Sequence, residues 1–291
     1  MNIFLNASHE LRAGWKFAAY VIFFFVVLFA TRVAFSLAGD LNFPENSLAF
    51  LFVNEAALFV PTVAALLLTT RFVDHRPLKT FGIGFLPEWQ RDLGKGLGLG
   101  AGMVTFLLLG CFTFGYVRIA WTANQAPATT LIGILTLLFV AAANEELLFR
   151  GFPLQVLIEA MGRWPAIAAL SVLFGLAHTG NPHPSLLGVI NTMLAGVLLS
   201  VAYVKTRSLW LPYGIHVGWN VGLGFILGFP LSGYDLASLW TTGIAGSDTI
   251  LGGDYGPEGG VLATFIFAAS AVIVNRTNPK VATYVGTVDR T

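Results

Sequence analysis

Charge is scarce in this sequence. Only 11% of its 291 residues are Asp, Glu, Lys or Arg, and 56% are hydrophobic, where soluble domains carry about 25% charged and about 45–50% apolar residues. That balance excludes an ordinary cytosolic domain. It also excludes disorder, which needs low hydrophobicity and high net charge. Cysteine is nearly missing as well: Cys111 stands alone inside an apolar run, so there is neither a disulfide framework nor a Cys-rich metal site. Excess charge of one sign is absent, because the net charge is +1, and with it the electrostatic footprint of a nucleic-acid partner. The dyad alternation of barrel strands is absent too. What is there is apolar length. A mean hydropathy of +0.75 and several runs of about 20 residues, each enough for one helical span, describe a polytopic membrane protein whose partners begin with membrane lipid.

The expected fold is an all-α transmembrane helical bundle forming a single domain over 1–291. Spans are expected at roughly 15–38, 48–71, 93–118, 130–149, 164–180, 185–204, 208–229 and 260–275, since helices satisfy their own backbone in lipid. Charge gives the orientation. Arg12 and Lys16 precede the first span. Arg71, Arg76, Lys79, Arg91 and Lys95 fall at or beside the connection 72–92, Arg150 and Arg163 follow the fourth span, Lys205 and Arg207 the sixth, and Arg276, Lys280 and Arg290 fill the tail. The intervening connections carry Asp40, Glu45, Asp235, Asp248, Asp254 and Glu258 but no base. This is the positive-inside pattern with both termini cytoplasmic; Arg32 and Arg118 are the two exceptions. The first span is longer than a signal-peptide core of about 7–15 residues, despite a cleavage-like Ser36-Leu37-Ala38. Removing it would reverse the charge alternation of every later loop, so it reads as retained.

The glycine run Gly94, Gly96, Gly98, Gly100 and Gly102 surrounds Lys95 but lacks the Ser or Thr that a phosphate loop needs after Gly-Lys. It reads as a surface for close helix packing. The acidic, Gly- and Ser-rich segment 230–259 reads as a solvated outer loop rather than a cap or partner surface.

Charged residues inside spans are costly and are functional candidates. They are Arg32, Glu55, Glu145, Glu146 and Arg150, with His178, His183, His216, Asn191 and Asn220 nearby in the later spans and turns. Glu146 and Arg150 are four apart and share one helix face, which suits an ion pair. Glu145 is left without a local partner, as suits a general acid or base. Phe174 and His178 are spaced to let the ring orient the imidazole, and His216 and Asn220 project from one helix face. Together, Glu145, His178, His216 and Asn220 supply a base, an orienter and oxyanion donors, a hydrolytic set. Equal depth below the outer surface further pairs Arg32 with Glu55 in this reading; the alternative is that Arg32 snorkels outward and Glu55 is protonated or serves the site.

Glu145-Glu146-x-x-x-Arg150, Phe174-x-x-x-His178 and His216-x-x-x-Asn220, in this order on successive helices, resemble the CPBP family, which groups CAAX-prenyl endopeptidases with bacterial Abi-type and bacteriocin-processing or immunity proteins. The resemblance covers about residues 130–228, the expected catalytic core. It implies intramembrane peptide-bond hydrolysis of a peptide or membrane-protein substrate. Glu145 and His178 would activate water, His216 and Asn220 would stabilise the oxyanion, and Glu146, Arg150 and Phe174 would support them. It leaves two cofactor versions open: none, or a divalent metal such as zinc on Glu145, His178 and His216. The alternative to an enzyme is an inactive immunity or scaffold protein of the same fold. A transporter ranks third, because no two-fold repeat is visible. Other intramembrane proteases fail on residues: His9-Glu10 is not followed by a His at the zinc-protease spacing, Ser232-Gly233 follows Pro230 rather than sitting within a span, and Tyr234-Asp235 and Gly252-Gly253-Asp254 lie in the outer loop. The sequence reads as bacterial in style, so the expected location is a bacterial cytoplasmic membrane. One conflict is built into the span limits: they put Glu145 toward the cytoplasmic side and His178 near the outer end. The two meet only if the fifth helix is displaced or tilted, as when 151–163 forms an interfacial helix and the fifth span enters lower.

Overall fold

The structure, a computed structural model, describes residues 3–6, 9–37, 43–44, 47–122 and 125–277. Ala38, Asp40, Glu45, Lys280 and Arg290, and with them both chain ends, lie outside the described residues. The helices are α1 (Ala13–Leu37), α2 (Leu48–Thr69), α3 (Trp89–Thr113), α4 (Ala128–Phe149), α5 (Phe152–Met161), α6 (Arg163–Ala177), α7 (Leu186–Thr206), α8 (Trp210–Asn220), the short α9 (Asp248–Leu251) and α10 (Val261–Arg276). Wider π-type turns extend α2 over Thr70–Asp74 and α8 over Val221–Ile226.

The protein is mostly helical and multi-pass. Among the described residues, five stretches are long and apolar enough to cross a membrane: α1, α2 with its extension, α3, the α4–α5 stretch Ala128–Met161, and α7. The remaining expected spans correspond to the shorter α6, α8 and α10. Helix α1 shows why lipid is required: it is strongly apolar, yet only Lys16 and Tyr20 of it are buried, and Phe25 and Phe29 point outward. An apolar face of that extent does not face water. Serines mark two helix starts, Ser47 accepting from the Phe50 amide at 3.2 Å and Ser185 from the Gly188 amide at 3.0 Å, as N-caps do.

One expectation needs correction: the bundle is not all-α. Strands β1 (Val117–Trp121) and β2 (Trp240–Ile244) form an antiparallel ribbon, with Val117 opposite Ile244 and Trp121 opposite Trp240. Helix α3 stops at Thr113, and Gly115 at φ 68° turns the chain out of it, a left-handed conformation that glycine adopts cheaply. Arg118 therefore lies on the ribbon, not in a span.

Glycine does position helices. Helices α3 and α8 cross with their backbones touching. A Cβ on Gly96 would lie 2.4 Å from the Leu211 carbonyl, and one on Gly100 2.4 Å from that of Ile215; from the other side, Gly214 and Gly218 meet the carbonyls of Leu93 and Leu97 at 2.5 and 2.7 Å. Gly94, Gly98 and Gly102 meet nothing, so alternate members of the run carry the contact. This crossing fixes the height and rotation of α8, which bears His216.

Candidate active site

The conflict over depth resolves in the α4–α5 arm. Helix α4 ends at Phe149, and α5 restarts at Phe152 with Pro153 in its first turn, where a missing amide costs nothing. The two form one apolar stretch, and the chain reverses at Gly162, φ 88°, into α6. Glu145 lies about as many residues before that reversal as His178 lies after it, so the arms of the hairpin bring them level. The expected fourth span stopped at 149 and left out the lower part of this arm. That is why His178 was placed too high.

Three side chains form the centre. The carboxylate Oε2 of Glu145 stands 3.9 Å from Nε2 of His178 and 3.7 Å from Nε2 of His216. Nδ1 of His178 donates to the Phe174 carbonyl at 2.8 Å, and the Phe174 ring packs edge-on against the imidazole at 4.7 Å. Because a carbonyl only accepts, Nδ1 carries the proton, and in the neutral ring Nε2 presents a lone pair to Glu145. On α8, Nδ1 of His216 donates to Glu146 Oε1 at 2.9 Å. The same oxygen accepts from the Arg150 guanidinium at 3.1 Å. Arg150 is 1% exposed, and its guanidinium sits over the Phe174 face at 4.1 Å. Glu146, Arg150 and Phe174 thus form a buried frame that sets both imidazoles.

Glu145 Oε2 is buried without a hydrogen-bond partner. Its gaps to the two imidazoles are too long for direct hydrogen bonds. One water accommodates the 3.9 Å separation by donating to both groups at about 2.8 Å. Among the described residues, no group of three His, Cys, Asp or Glu has metal-holding geometry, and the Glu145, His178 and His216 set does not close around an ion as placed. Asn220, one turn beyond His216, lines the same cavity, whose volume is about 750 Å³. His183 does not line it.

Three features escaped the sequence reading. No ion pair joins Arg32 and Glu55 among the described residues; Arg32 is exposed, and Glu55 instead accepts from Asn144 Nδ2 at 2.6 Å on the cavity wall. Equal depth did not bring the two together, because it does not fix which face of each helix meets the other. Asn144 went unread beside the more conspicuous acids, although Asn144-Glu145-Glu146 is an unusually polar run for a span. The segment 230–259 is also not a free loop. Glu258 is buried, accepting from Trp219 Nε1 at 2.8 Å and from the Ser232 amide and hydroxyl at 2.7 and 2.6 Å. Asn191 donates to the carbonyls of Glu258 and Gly260, both at 2.8 Å. Leu231, Ser232, Tyr234 and Glu258 close one side of the cavity. Burial pushes Tyr255 in this cap up to about 12, so its hydroxyl stays protonated at neutral pH.

Residues 126–222 match the family model for type II CAAX prenyl endopeptidase Rce1-like proteins. The matched segment contains Glu145, Glu146, Arg150, Phe174, His178, His216 and Asn220. It supports the family resemblance that the three motifs carry. An uncharacterized 24.3 kDa protein of Escherichia coli is 31% identical over 108 residues, 36% of this chain and 48% of that protein. The chain therefore spans about half the length of the curated relative it matches.

Proposed function

We propose that this protein is an intramembrane endopeptidase that hydrolyses a peptide bond with water activated by Glu145 and His178. The observation that carries this reading is the convergence of one unpartnered carboxylate oxygen and two imidazole Nε2 atoms on one point of a largely apolar cavity. The Rce1-like match over the same residues supports it.

Water donates its two O–H groups to Glu145 Oε2 and His178 Nε2, leaving a lone pair for the scissile carbonyl carbon. The C–O bond forms as a water proton passes to Glu145. The carbonyl oxygen becomes an oxyanion, which takes hydrogen bonds from Asn220 and from His216. Nδ1 of His216 is committed to Glu146, so donation from Nε2 uses the imidazolium, whose charge Glu145 and Glu146 balance. Collapse breaks the C–N bond, and Glu145 returns its proton to the leaving amine. All of these steps use the protein's own side chains. In the finer topology proposed here, eight helices span a bacterial cytoplasmic membrane with both termini inside, as the alternation of Lys and Arg supports.

The test begins with a membrane peptide that accumulates uncleaved in cells lacking the protein. Glu145→Gln and His178→Ala should each abolish its cleavage while membrane expression persists. Asn220→Ala should cost about 10²–10³ in rate, the typical loss for one oxyanion donor. Full activity in Glu145→Gln overturns the mechanism. Stoichiometric metal in the purified protein, together with chelator inhibition, would reassign Glu145, His178 and His216 as ligands.

A further inference from the structure

The cavity wall carries three carboxylates. Glu55, Glu145 and Glu258 line it, and no Lys or Arg does among the described residues. Two of these carboxylates are committed. Glu258 spends both oxygens on Trp219 and Ser232, and Glu145 faces the two imidazoles. Glu55 is different. One of its oxygens accepts from Asn144, and no other hydrogen bond reaches it among the described residues. Asn144 is 2% exposed and lines the cavity, and its Oδ1 has no hydrogen-bond partner. Donation from Nδ2 to Glu55 fixes which end of the amide faces the carboxylate, so Oδ1 is an acceptor. Side by side, then, stand a carboxylate oxygen and an amide oxygen, both acceptors with spare capacity and no protein donor. The buried member of the two, Asn144 Oδ1, is costly until a donor arrives.

We propose that Glu55 and Asn144 form a subsite for a cationic side chain of the substrate, so that the preferred substrate is an apolar segment carrying a Lys or Arg close to the scissile bond; this rests on the endopeptidase reading. The apolar part follows from the rest of the wall, where Phe17, Val21, Phe24, Leu51 and Leu58 face the same space. Adjacency follows from the sequence, since Asn144 is the immediate neighbour of Glu145 on α4. An ammonium or guanidinium supplies the donors that both oxygens lack, and hydrogen bonds to charged groups are the strong ones.

The experiment uses apolar Leu/Ala peptides that differ at one central residue, Lys, Gln or Glu, with binding to the detergent-solubilised protein read by fluorescence anisotropy. The Lys peptide should bind about tenfold or more tighter than the Gln peptide, the scale of a charged hydrogen bond, and the Glu peptide should bind weakest. Glu55→Gln should bring the Lys peptide level with the Gln peptide. Equal binding of Lys and Gln peptides to the unmodified protein overturns the proposal, and that comparison needs no variant to fold. A Lys preference that survives both Glu55→Gln and Asn144→Leu overturns the assignment to these residues. Cleavage assayed on the same peptides separates the two readings. Selective binding without cleavage keeps the subsite and removes the endopeptidase, whereas cleavage indifferent to the central residue does the reverse.

Discussion

Replacing the buried pair Glu146 and Arg150, singly and together, separates what holds the fold from what aims the site. Both side chains are 1% exposed and joined at 3.1 Å. Removing one partner leaves the other as a buried charge, and such breaks cost about 3–5 kcal/mol. Glu146→Leu and Arg150→Met should each fall in that range. The double variant removes both members of the pair, so neither is left without the other. What it does leave is His216 Nδ1–H, which loses its acceptor at 2.9 Å, and an unmet buried donor costs about 1–3 kcal/mol. The double variant should therefore be more stable than either single one. SDS-induced unfolding in mixed micelles reads the three stabilities, and a double-mutant cycle extracts the coupling. Cleavage should behave differently. His216 loses the carboxylate that sets its ring, so the double variant should regain stability and stay inactive. Strict additivity of the two losses would refute the buried-pair reasoning. Wild-type cleavage by the double variant would refute the orienting role of Glu146.

The glycine crossing predicts a position-specific pattern. Gly100→Ala puts a Cβ 2.4 Å from the Ile215 carbonyl and should cost about 1–3 kcal/mol as overpacking does, with cleavage falling further because His216 moves with α8. Gly98→Ala meets nothing and should be neutral or gain about 0.5–1 kcal/mol as a better helix former; thermal melts of both in one detergent check the contrast, and equal effects would place the contact elsewhere. For topology, cysteines introduced at the exposed Lys79 and Asp235 should react with a membrane-impermeant maleimide from opposite sides of the membrane. Labelling of both from the same side would end the eight-span arrangement.

The bundle was legible because lipid imposes a simple rule: long apolar runs become helices. The expected limits 48–71 and 185–204 lie within a few residues of α2 and α7. What could not be read was how far a helical arm continues past a break. Arg150-Gly151 looks like a span end, since a charge and a glycine meet there, yet α5 resumes two residues later and carries the arm on to Met161. The ribbon was hidden for another reason. Val117–Trp121 pairs with Trp240–Ile244 across more than a hundred residues, and neither strand alone announces its partner.

The candidate site could be singled out in the sequence for an energetic reason. A carboxylate or imidazole in lipid needs a compensating partner or a function, so few candidates survive in an apolar chain. Glu145, His178 and His216 stood out for that reason, and the structure brings them to one point. The same rule overreached at Arg32 and Glu55. It states that Glu55 needs a partner but not that the partner must be a charge. Asn144 meets the need with one hydrogen bond and leaves capacity over, while Arg32 is exposed, where its long side chain can reach the interface. A polar residue inside an apolar bundle thus marks a place where something must be satisfied. Whether protein, water or substrate satisfies it is decided by rotation about the helix axis, which packing sets and span depth does not.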